Sequence, residues 1–182
     1  MLRFVTTNAE KAAEARAHLP VEVVQTDYDY DEIQSADLAD IAARGAREAF
    51  ESVGASRPVI VDDTGFFIEG LDGFPGPYAA YVDQTLGIEG VWSLAAELAD
   101  RTAAFECAIA YADGDRLEVF EGRVEGHLVA PRGEGGFGYD PIFEYEGRTF
   151  AELSIEEKNE VSHRSRALSK LADWLEANEP IS

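Results

Sequence analysis

Two adjacent aspartates, Asp62 and Asp63, follow a short apolar run and carry carboxylates that could do chemistry. The run from Pro58 to Asp63 predicts a short apolar strand that ends in these two acids. Adjacent carboxylates at a strand end commonly bind Mg²⁺ or activate a water molecule. Because neighbouring side chains in a strand point to opposite faces, the two acids are expected to have different roles. The alternative interpretation is an ordinary aspartate-rich turn.

Four cationic side chains lie close together near the end of the chain: Lys158, His163, Arg164 and Arg166. The sequence contains 36 acidic and 15 basic residues, and only three of the basic residues are lysines. Cations used so sparingly indicate an anionic ligand, although a salt-bridged helix surface is the alternative, because glutamates are interleaved. Ser162 fits the N-cap position of a last helix, which places His163 and Arg164 in its first turn.

A second cationic helix start is predicted at the beginning of the chain. The segment Thr6-Thr7-Asn8-Ala9-Glu10-Lys11 joins a predicted strand to an alanine-rich helix, and Asn8 is a good N-cap residue. Lys11 then falls in the first turn, where the helix dipole disfavours a cation. An anion bound at the helix N-terminus explains such a lysine, whereas a solvated lysine is the alternative. The two cationic helix starts together favour phosphate binding.

A glycine-rich segment, Gly135-Gly136-Phe137-Gly138-Tyr139-Asp140-Pro141, combines backbone freedom with two aromatic rings. Glycines let the backbone approach a ligand closely, and Phe137 or Tyr139 could stack on a nucleobase. The alternative is a structural turn with aromatic packing.

These residues must be positioned by strands and helices, which the sequence pattern also predicts. Apolar runs indicate strands at Leu2 to Thr6, Val21 to Gln25, Pro58 to Asp63, Ala103 to Tyr111 and Leu117 to Val129. Helical patterns run from Asn8 to about His18, Leu38 to Val53, Gly87 to Leu98, and over a last amphipathic helix with Leu168, Leu171, Ala172 and Leu175 on one stripe. Gly70 to Tyr78 is predicted to be a rigid loop, and Asp113-Gly114-Asp115 is a hairpin signal. The pattern predicts a mixed α/β fold, and a length of 182 residues predicts one domain, residues 1–182.

The composition limits the classes of partner. The net charge is -21, and a large nucleic-acid footprint needs a basic face, so nucleic-acid binding is not expected. The acids are dispersed and arginine outnumbers lysine, which suits concentrated salt, where screening removes self-repulsion. No membrane span is expected, because no apolar stretch approaches roughly 20 residues, and no signal-peptide region precedes the first predicted strand. Cys107 is the only cysteine, which fits a reducing cytoplasm.

Four motifs occur in one order: Thr-x-Asn-x-x-Lys, then Asp-Thr-Gly with Gly-x-Pro-Gly-Pro-Tyr, then Gly-Phe-Gly-Tyr-Asp-Pro-Ile-Phe, then Glu-Lys-Asn-x-x-Ser-His-Arg. In this order they resemble archaeal-like members of the inosine/xanthosine triphosphate pyrophosphatase family, from Phe4 to about Leu175. The resemblance implies an elongated α/β fold, with a mixed sheet flanked by helices and two lobes around a deep central nucleotide cleft. It also implies a homodimer and a Mg²⁺-dependent attack of water on the α-phosphate of ITP, dITP or XTP. The products would be a nucleoside monophosphate and pyrophosphate.

The resemblance further implies a role for each matching position. The triphosphate would be bound by Thr6, Thr7, Asn8, Ala9, Glu10 and Lys11. Asp63 would be the general base and a metal ligand, Glu32 would be the second metal-binding acid, and Thr64 would contact the substrate. The base, the sugar and the remaining substrate charge would be bound by Phe137, Gly138, Tyr139, Asp140, Lys158, His163 and Arg164.

Substrate selection and the alternatives follow from the same positions. Hydrogen-bond donors from His163 or Arg164 would favour a 6-oxo purine, since an adenine amino group would place donor against donor. The alternatives are a non-catalytic nucleotide sensor on the same fold, a pyrophosphatase for modified pyrimidine nucleotides, and a plain acidic structural protein. The chain departs from the family at Thr7, where glycine is common, and at Gly45 and Ala80, where some members carry lysine. No role is assigned to Gly45 or Ala80.

Overall fold

The computed structural model describes residues 1–31, 33–53 and 57–178. Within these residues the strands β1 to β8 are Leu2–Val5, Val23–Thr26, Val59–Ile68, Pro75–Gly76, Thr102–Ala112, Leu117–Leu128, Phe143–Tyr145 and Arg148–Thr149. The helices α1 to α6 are Ala9–His18, Leu38–Ser52, Ala79–Thr85, Gly87–Ala95, Ile155–Val161 and His163–Asn178. Short 3₁₀ helices cover Glu69–Leu71, Asp140–Ile142 and Phe150–Glu152.

The strands form one mixed sheet, which confirms the prediction of a mixed α/β fold. The order is β2-β1-β3-β5-β6-β7-β8, and β4 pairs with β3. Strand β1 is parallel to β2 and β3, whereas β4 is antiparallel to β3 and β7 is antiparallel to β6 and β8. The predicted hairpin between β5 and β6 is also confirmed, since Asp113 Oδ1 accepts hydrogen bonds from the backbone of Asp115 and Arg116.

Strand β3 is longer than the sequence predicts. The prediction that it ends at Asp63 is wrong, because the strand continues to Ile68. Gly65 is not a turn residue: a Cβ atom there would lie 2.9 Å from the carbonyl oxygen of Gly76. This glycine therefore marks the close approach of β4 to β3. The two aspartates lie within the strand, where side-chain alternation still separates them.

The long helices begin and end close to their predicted bounds. In α6, Leu168, Leu171 and Leu175 of the predicted apolar stripe are buried. The sequence prediction missed α3, α5, β4, β7 and β8, which have seven residues or fewer and are too short for a periodic pattern. Strand β4 lies within the segment Gly70 to Tyr78, for which the sequence predicts a loop. Among the helices described in 1–31, 33–53 and 57–178, none combines the length and apolarity that crossing a membrane requires.

The chain divides into two compact units. The first unit comprises Met1–Asp63, Cys107–Gly122 and the chain from Arg164 onward. Its core joins β1, β3 and β5 to α1 and α6, through buried side chains that include Leu2, Phe4, Ile60, Ile109, Tyr111, Leu168 and Leu171. This core holds the ends of α1 and α6 against the strand that carries the aspartates.

The second unit comprises Thr64–Glu106 and Arg123–His163. Its core is aromatic: Phe105 lies 4.7 Å from Phe66 and 4.9 Å from Phe143, between ring centroids. Phe150 packs edge-on against Phe143 at 4.8 Å. These rings support the glycine-rich segment and the start of α6. The predicted cleft and the single-domain description stay predictions.

Candidate active site

The start of α1 is organised by its own side chains. Asn8 Oδ1 accepts hydrogen bonds from the backbone N–H groups of Glu10 at 2.9 Å and Lys11 at 3.2 Å. Thr6 Oγ1 accepts from the backbone N–H of Asn8 at 3.1 Å. The prediction that Asn8 is the N-cap is therefore confirmed, and Lys11 lies in the first helical turn. Thr7, Ala9 and Glu10 are exposed.

Asp62 lies between two cations of the first unit. Its carboxylate accepts one hydrogen bond from Lys11 Nζ and one from Arg164 Nε, each at 2.9 Å. The Asp62 side chain is only 1% exposed. Burial acts to raise the pKa of Asp62, but the charges and hydrogen bonds of Lys11 and Arg164 outweigh it and lower the pKa to about 2. Asp62 is therefore ionised at neutral pH.

Glu14 completes a charge cluster of four side chains, Lys11, Glu14, Asp62 and Arg164. Arg164 Nη1 donates to Glu14 Oε2 at 2.7 Å. Burial alone would lower the pKa of Arg164, and the carboxylates of Asp62 and Glu14 raise it instead. Sequence reasoning missed Glu14 and left Asp62 without a role. The only sequence signal was the position of Glu14 three residues after Lys11, on the same face of α1.

Asp63 follows Asp62 along β3 and has a different environment. Asp62 is buried, whereas Asp63 and Thr64 are partly exposed. This contrast agrees with the alternation of side chains in a strand. The expected difference in role thus has a structural basis, with Asp63 the more accessible acid.

The metal ligands that the resemblance implies are two carboxylates, Asp63 and Glu32. Glu32, the second predicted metal ligand, lies outside the described residues, and the part of the chain that is described contains no group of three His, Cys, Asp or Glu side chains that could hold a metal. Mg²⁺ in nucleotide enzymes is usually bound by one or two carboxylates together with substrate phosphate oxygens. Asp63, a second carboxylate and a triphosphate would satisfy that requirement with oxygen ligands alone.

In the second unit, Asp140 organises the glycine-rich segment. Its carboxylate accepts hydrogen bonds from the backbone N–H of Phe137 at 2.8 Å and from Lys158 Nζ. Gly136 has a φ of +70°, and a Cβ atom there would lie 2.2 Å from Asp140 Oδ2. Glycine at this position is therefore required both by backbone conformation and by the Asp140 carboxylate.

The two aromatic residues of this segment have different environments. Tyr139 is 4% exposed and stacks on Phe66, and its hydroxyl donates to the backbone carbonyl of Ala79 at 2.9 Å. Burial raises the pKa of Tyr139, and Asp83 raises it further. Phe137 is 49% exposed, with Lys158 Nζ 4.4 Å from its ring centroid. Of the two predicted stacking residues, Phe137 is the accessible one and Tyr139 belongs to the core.

The cationic run is divided by a break between two helices. Helix α5 ends at Val161 and α6 begins at His163, so the turn predicted between Lys158 and Arg164 is confirmed. His163 is 5% exposed, and its ring stacks on Phe105 at 4.9 Å with an interplanar angle of 11°. Lys158 and His163 belong to the second unit and Arg164 to the first. A direct contact of His163 or Arg164 with a purine stays a prediction.

Gly45 and Ala80, where some family members carry lysine, have different surroundings in the structure. A Cβ atom on Gly45 would lie 2.6 Å from the ring of Tyr30, so a lysine at this position would require that ring to move. Ala80 is exposed near the start of α3.

Comparisons with known proteins give consistent matches along the chain. A family model described as the Ham1 family matches residues 2–174. A relative from Thermococcus kodakarensis, named dITP/XTP pyrophosphatase, is 48% identical over 97% of this chain and 98% of its own length. A relative from Tuber melanosporum, named inosine triphosphate pyrophosphatase, is 41% identical over 97% of each chain. The structure of the Staphylococcus aureus Ham1 protein is similar, with a TM-score of 0.87, 31% identity, and coverage of 98% of this chain and 99% of that one.

Proposed function

This chain belongs to the Ham1 family, and on that premise we propose that it hydrolyses noncanonical purine nucleoside triphosphates. The substrates are ITP, dITP and XTP, and the products are the nucleoside monophosphate and pyrophosphate. The observation that carries the proposal is the near full-length similarity to relatives named for this activity. The phosphate-binding and acidic motifs of the sequence lie within the matched region.

We assign the triphosphate to the segment Thr6 to Lys11. The helix dipole at the start of α1 favours an anion. Because the N–H groups of Glu10 and Lys11 already donate to Asn8 Oδ1, the dipole and the Lys11 side chain provide the attraction. Lys11 adds a full positive charge in a chain with a net charge of -21, where a local cation is needed to attract a polyanion.

We assign general-base catalysis to Asp63, which takes a proton from the attacking water molecule. The water oxygen bonds to the α-phosphorus, and the bond to the oxygen that bridges the α- and β-phosphates breaks. Pyrophosphate leaves with that bridging oxygen. A bound Mg²⁺, held by Asp63 and Glu32, would supply charge stabilisation to the phosphate oxygens. Thr64 contacts the substrate beside this acid.

We assign the base and the sugar to the segment Phe137-Gly138-Tyr139-Asp140, in which Phe137 supplies the accessible ring and Tyr139 is buried in the core, completed by Lys158, His163 and Arg164. The accessible ring of Phe137 can stack on a purine. Donors from His163 or Arg164 would match the 6-oxo group of hypoxanthine or xanthine. An adenine amino group at the same place would leave buried donors unsatisfied.

The proposal includes Mg²⁺ as the cofactor, a homodimer, a cytoplasmic location, and adaptation to concentrated salt. The salt adaptation follows from the dispersed acids and predicts that the melting temperature rises between dilute buffer and molar KCl, because screening removes self-repulsion. Thermal unfolding followed by circular dichroism over that range of KCl is the measurement. A melting temperature that does not change with KCl would reject the salt adaptation.

A substrate panel at high KCl tests the activity itself. Pyrophosphate release is measured from ITP, dITP, XTP, ATP, GTP and modified pyrimidine triphosphates, with Mg²⁺ and with EDTA. We expect release from ITP, dITP and XTP only with Mg²⁺, and a fall of about 10³-fold or more in Asp63→Asn, as loss of a catalytic base commonly gives. Substantial activity in Asp63→Asn would remove Asp63 as the general base.

The same panel separates the alternatives. A nucleotide sensor would bind ITP, seen as a thermal shift, without releasing pyrophosphate. A pyrimidine pyrophosphatase would hydrolyse modified pyrimidine nucleotides in preference to ITP. A structural protein would show neither a thermal shift nor turnover.

A further inference from the structure

We infer that Asp62 is a positioning residue, which holds the ammonium group of Lys11 in place for an anionic ligand. The inference rests on the proposed function, because it takes Lys11 as a phosphate ligand. Asp62 has a side chain that is 1% exposed, so its carboxylate contacts other side chains rather than a substrate. It therefore differs from Asp63, to which the proposed function assigns the chemistry.

Lys11 needs such a support. A lysine carries its charge at the end of a flexible four-carbon side chain, and the Lys11 side chain is 21% exposed. The hydrogen bond from Lys11 Nζ to Asp62 Oδ1, which is 2.9 Å long, restricts the motion of this side chain. An ammonium group has three N–H donors, so one bond to Asp62 leaves capacity for phosphate oxygens. Lys11 can thus be fixed by the protein and still bind an anion.

Arg164 allows Asp62 to perform this task without becoming an uncompensated buried charge. Its Nε donates to Asp62 Oδ2, the second carboxylate oxygen. When Lys11 shares its charge with a phosphate, Arg164 still neutralises Asp62, which avoids the large penalty of an unpaired buried ion. Glu14 in turn accepts from Arg164 at 2.7 Å, so the charge cluster has two cations and two anions.

The arrangement also provides a matched control. Glu14 and Asp62 are both carboxylates of the charge cluster, and both contact Arg164. Of these two carboxylates, Asp62 is the one that bonds Lys11. Changing Asp62 to Asn should therefore release Lys11, whereas changing Glu14 to Gln should leave it held.

The test uses the small number of lysines. The chain contains Lys11, Lys158 and Lys170 as its only lysines, so a protein labelled with ¹³Cε-lysine gives three NMR signals that lysine-to-arginine variants assign. In Asp62→Asn we expect the Lys11 signal to move to the position of a mobile lysine while the Lys158 signal stays. Glu14→Gln should leave both signals in place. A Lys11 signal that is unchanged in Asp62→Asn would overturn the inference.

Binding of inorganic pyrophosphate, measured by calorimetry in EDTA, supplies a second readout. We expect Asp62→Asn to weaken binding about tenfold, the scale of one charge-assisted hydrogen bond. In a Lys11→Met background, Asp62→Asn should add less than about a twofold effect, because the two residues act as one unit. Multiplicative losses in the double variant would overturn the inference.

Two further outcomes are distinguishable. If Asp62→Asn does not fold, all three lysine signals become mobile; Asp62→Glu, which keeps the charge, should then retain the held Lys11 signal. A folded Asp62→Glu with a mobile Lys11 would overturn the inference. Neither the NMR measurement nor the binding measurement needs turnover. If both show that Asp62 and Lys11 are coupled but the protein does not hydrolyse ITP, the proposed function alone is rejected. If the protein hydrolyses ITP but Asp62 and Lys11 are not coupled, the inference alone is rejected.

Discussion

Each unit of this protein contains a lysine bonded to a buried aspartate, and the two pairs are built differently. In the first unit, Asp62 lies on a strand and receives Lys11 and Arg164 from two helices. In the second unit, Asp140 follows a glycine-rich segment and receives Lys158 and the backbone N–H of Phe137.

The difference teaches how the same chemical pair can serve two tasks. A carboxylate on a strand fixes the positions of two cations, and the proposed function uses one of them, Lys11, to bind phosphate. A carboxylate that bonds both a lysine and a loop backbone fixes the conformation of that loop and places Phe137 beside the Lys158 cation. The first pair is suited to binding charge, and the second is suited to presenting a flat aromatic surface.

Among the changes that test this comparison of the two pairs, Lys11→Ala is expected to have the largest effect. Loss of a charge-assisted contact to the triphosphate should raise KM, because the contact binds the substrate. It should also lower kcat by about 10²-fold or more, because the contact strengthens in the transition state. Steady-state kinetics with ITP and Mg²⁺ measure both constants. Lys170→Ala is the matched control, since Lys170 Nζ donates to the backbone of Glu121 and has no proposed role in binding. Unchanged kinetics in Lys11→Ala would remove the contrast between the two pairs.

A smaller effect is expected from Phe137→Ala. Loss of a stacking surface should lower kcat/KM for ITP about tenfold, the lower part of the range for a base stacked on an aromatic ring. Tyr139→Phe is the control: it removes the hydroxyl that donates to Ala79 and should cost about 1 kcal/mol of stability. The kcat/KM of Tyr139→Phe for ITP should stay within about twofold of the wild-type value, which corresponds to less than about 0.5 kcal/mol. The reverse ranking would show that the wrong ring was assigned to the base.

The last effect is on stability in acid rather than on activity. Because the folded-state pKa of Asp62 is lowered from 3.8 to about 2, its ionised form stabilises the fold above pH 3.8, and this contribution is lost as pH falls toward 2. The contribution is roughly 2 kcal/mol. The free energies of unfolding of wild type and Asp62→Asn, measured with urea in EDTA, should differ most near neutral pH and converge as the pH falls toward 2. A difference that does not change with pH would contradict the assignment of two compensating cations to Asp62.

How much the sequence could predict depended on the distance between partners. Asn8 could be identified as the cap of α1 because its partners, Glu10 and Lys11, are two and three residues away. The end of β3 could not be predicted, because Gly65 is explained by the approach of Gly76 on another strand.

The sequence by itself determined the mixed α/β pattern, the helix starts and the order of motifs that resembles one enzyme family. All of these depend on local periodicity, on capping residues, or on residue types at fixed spacing. Only the tertiary structure decided that Asp62 bonds Arg164, 102 residues away, and that Tyr139 is buried while Phe137 is accessible. The physical reason is that burial and charge compensation are properties of a packed environment, to which residues distant in the chain contribute.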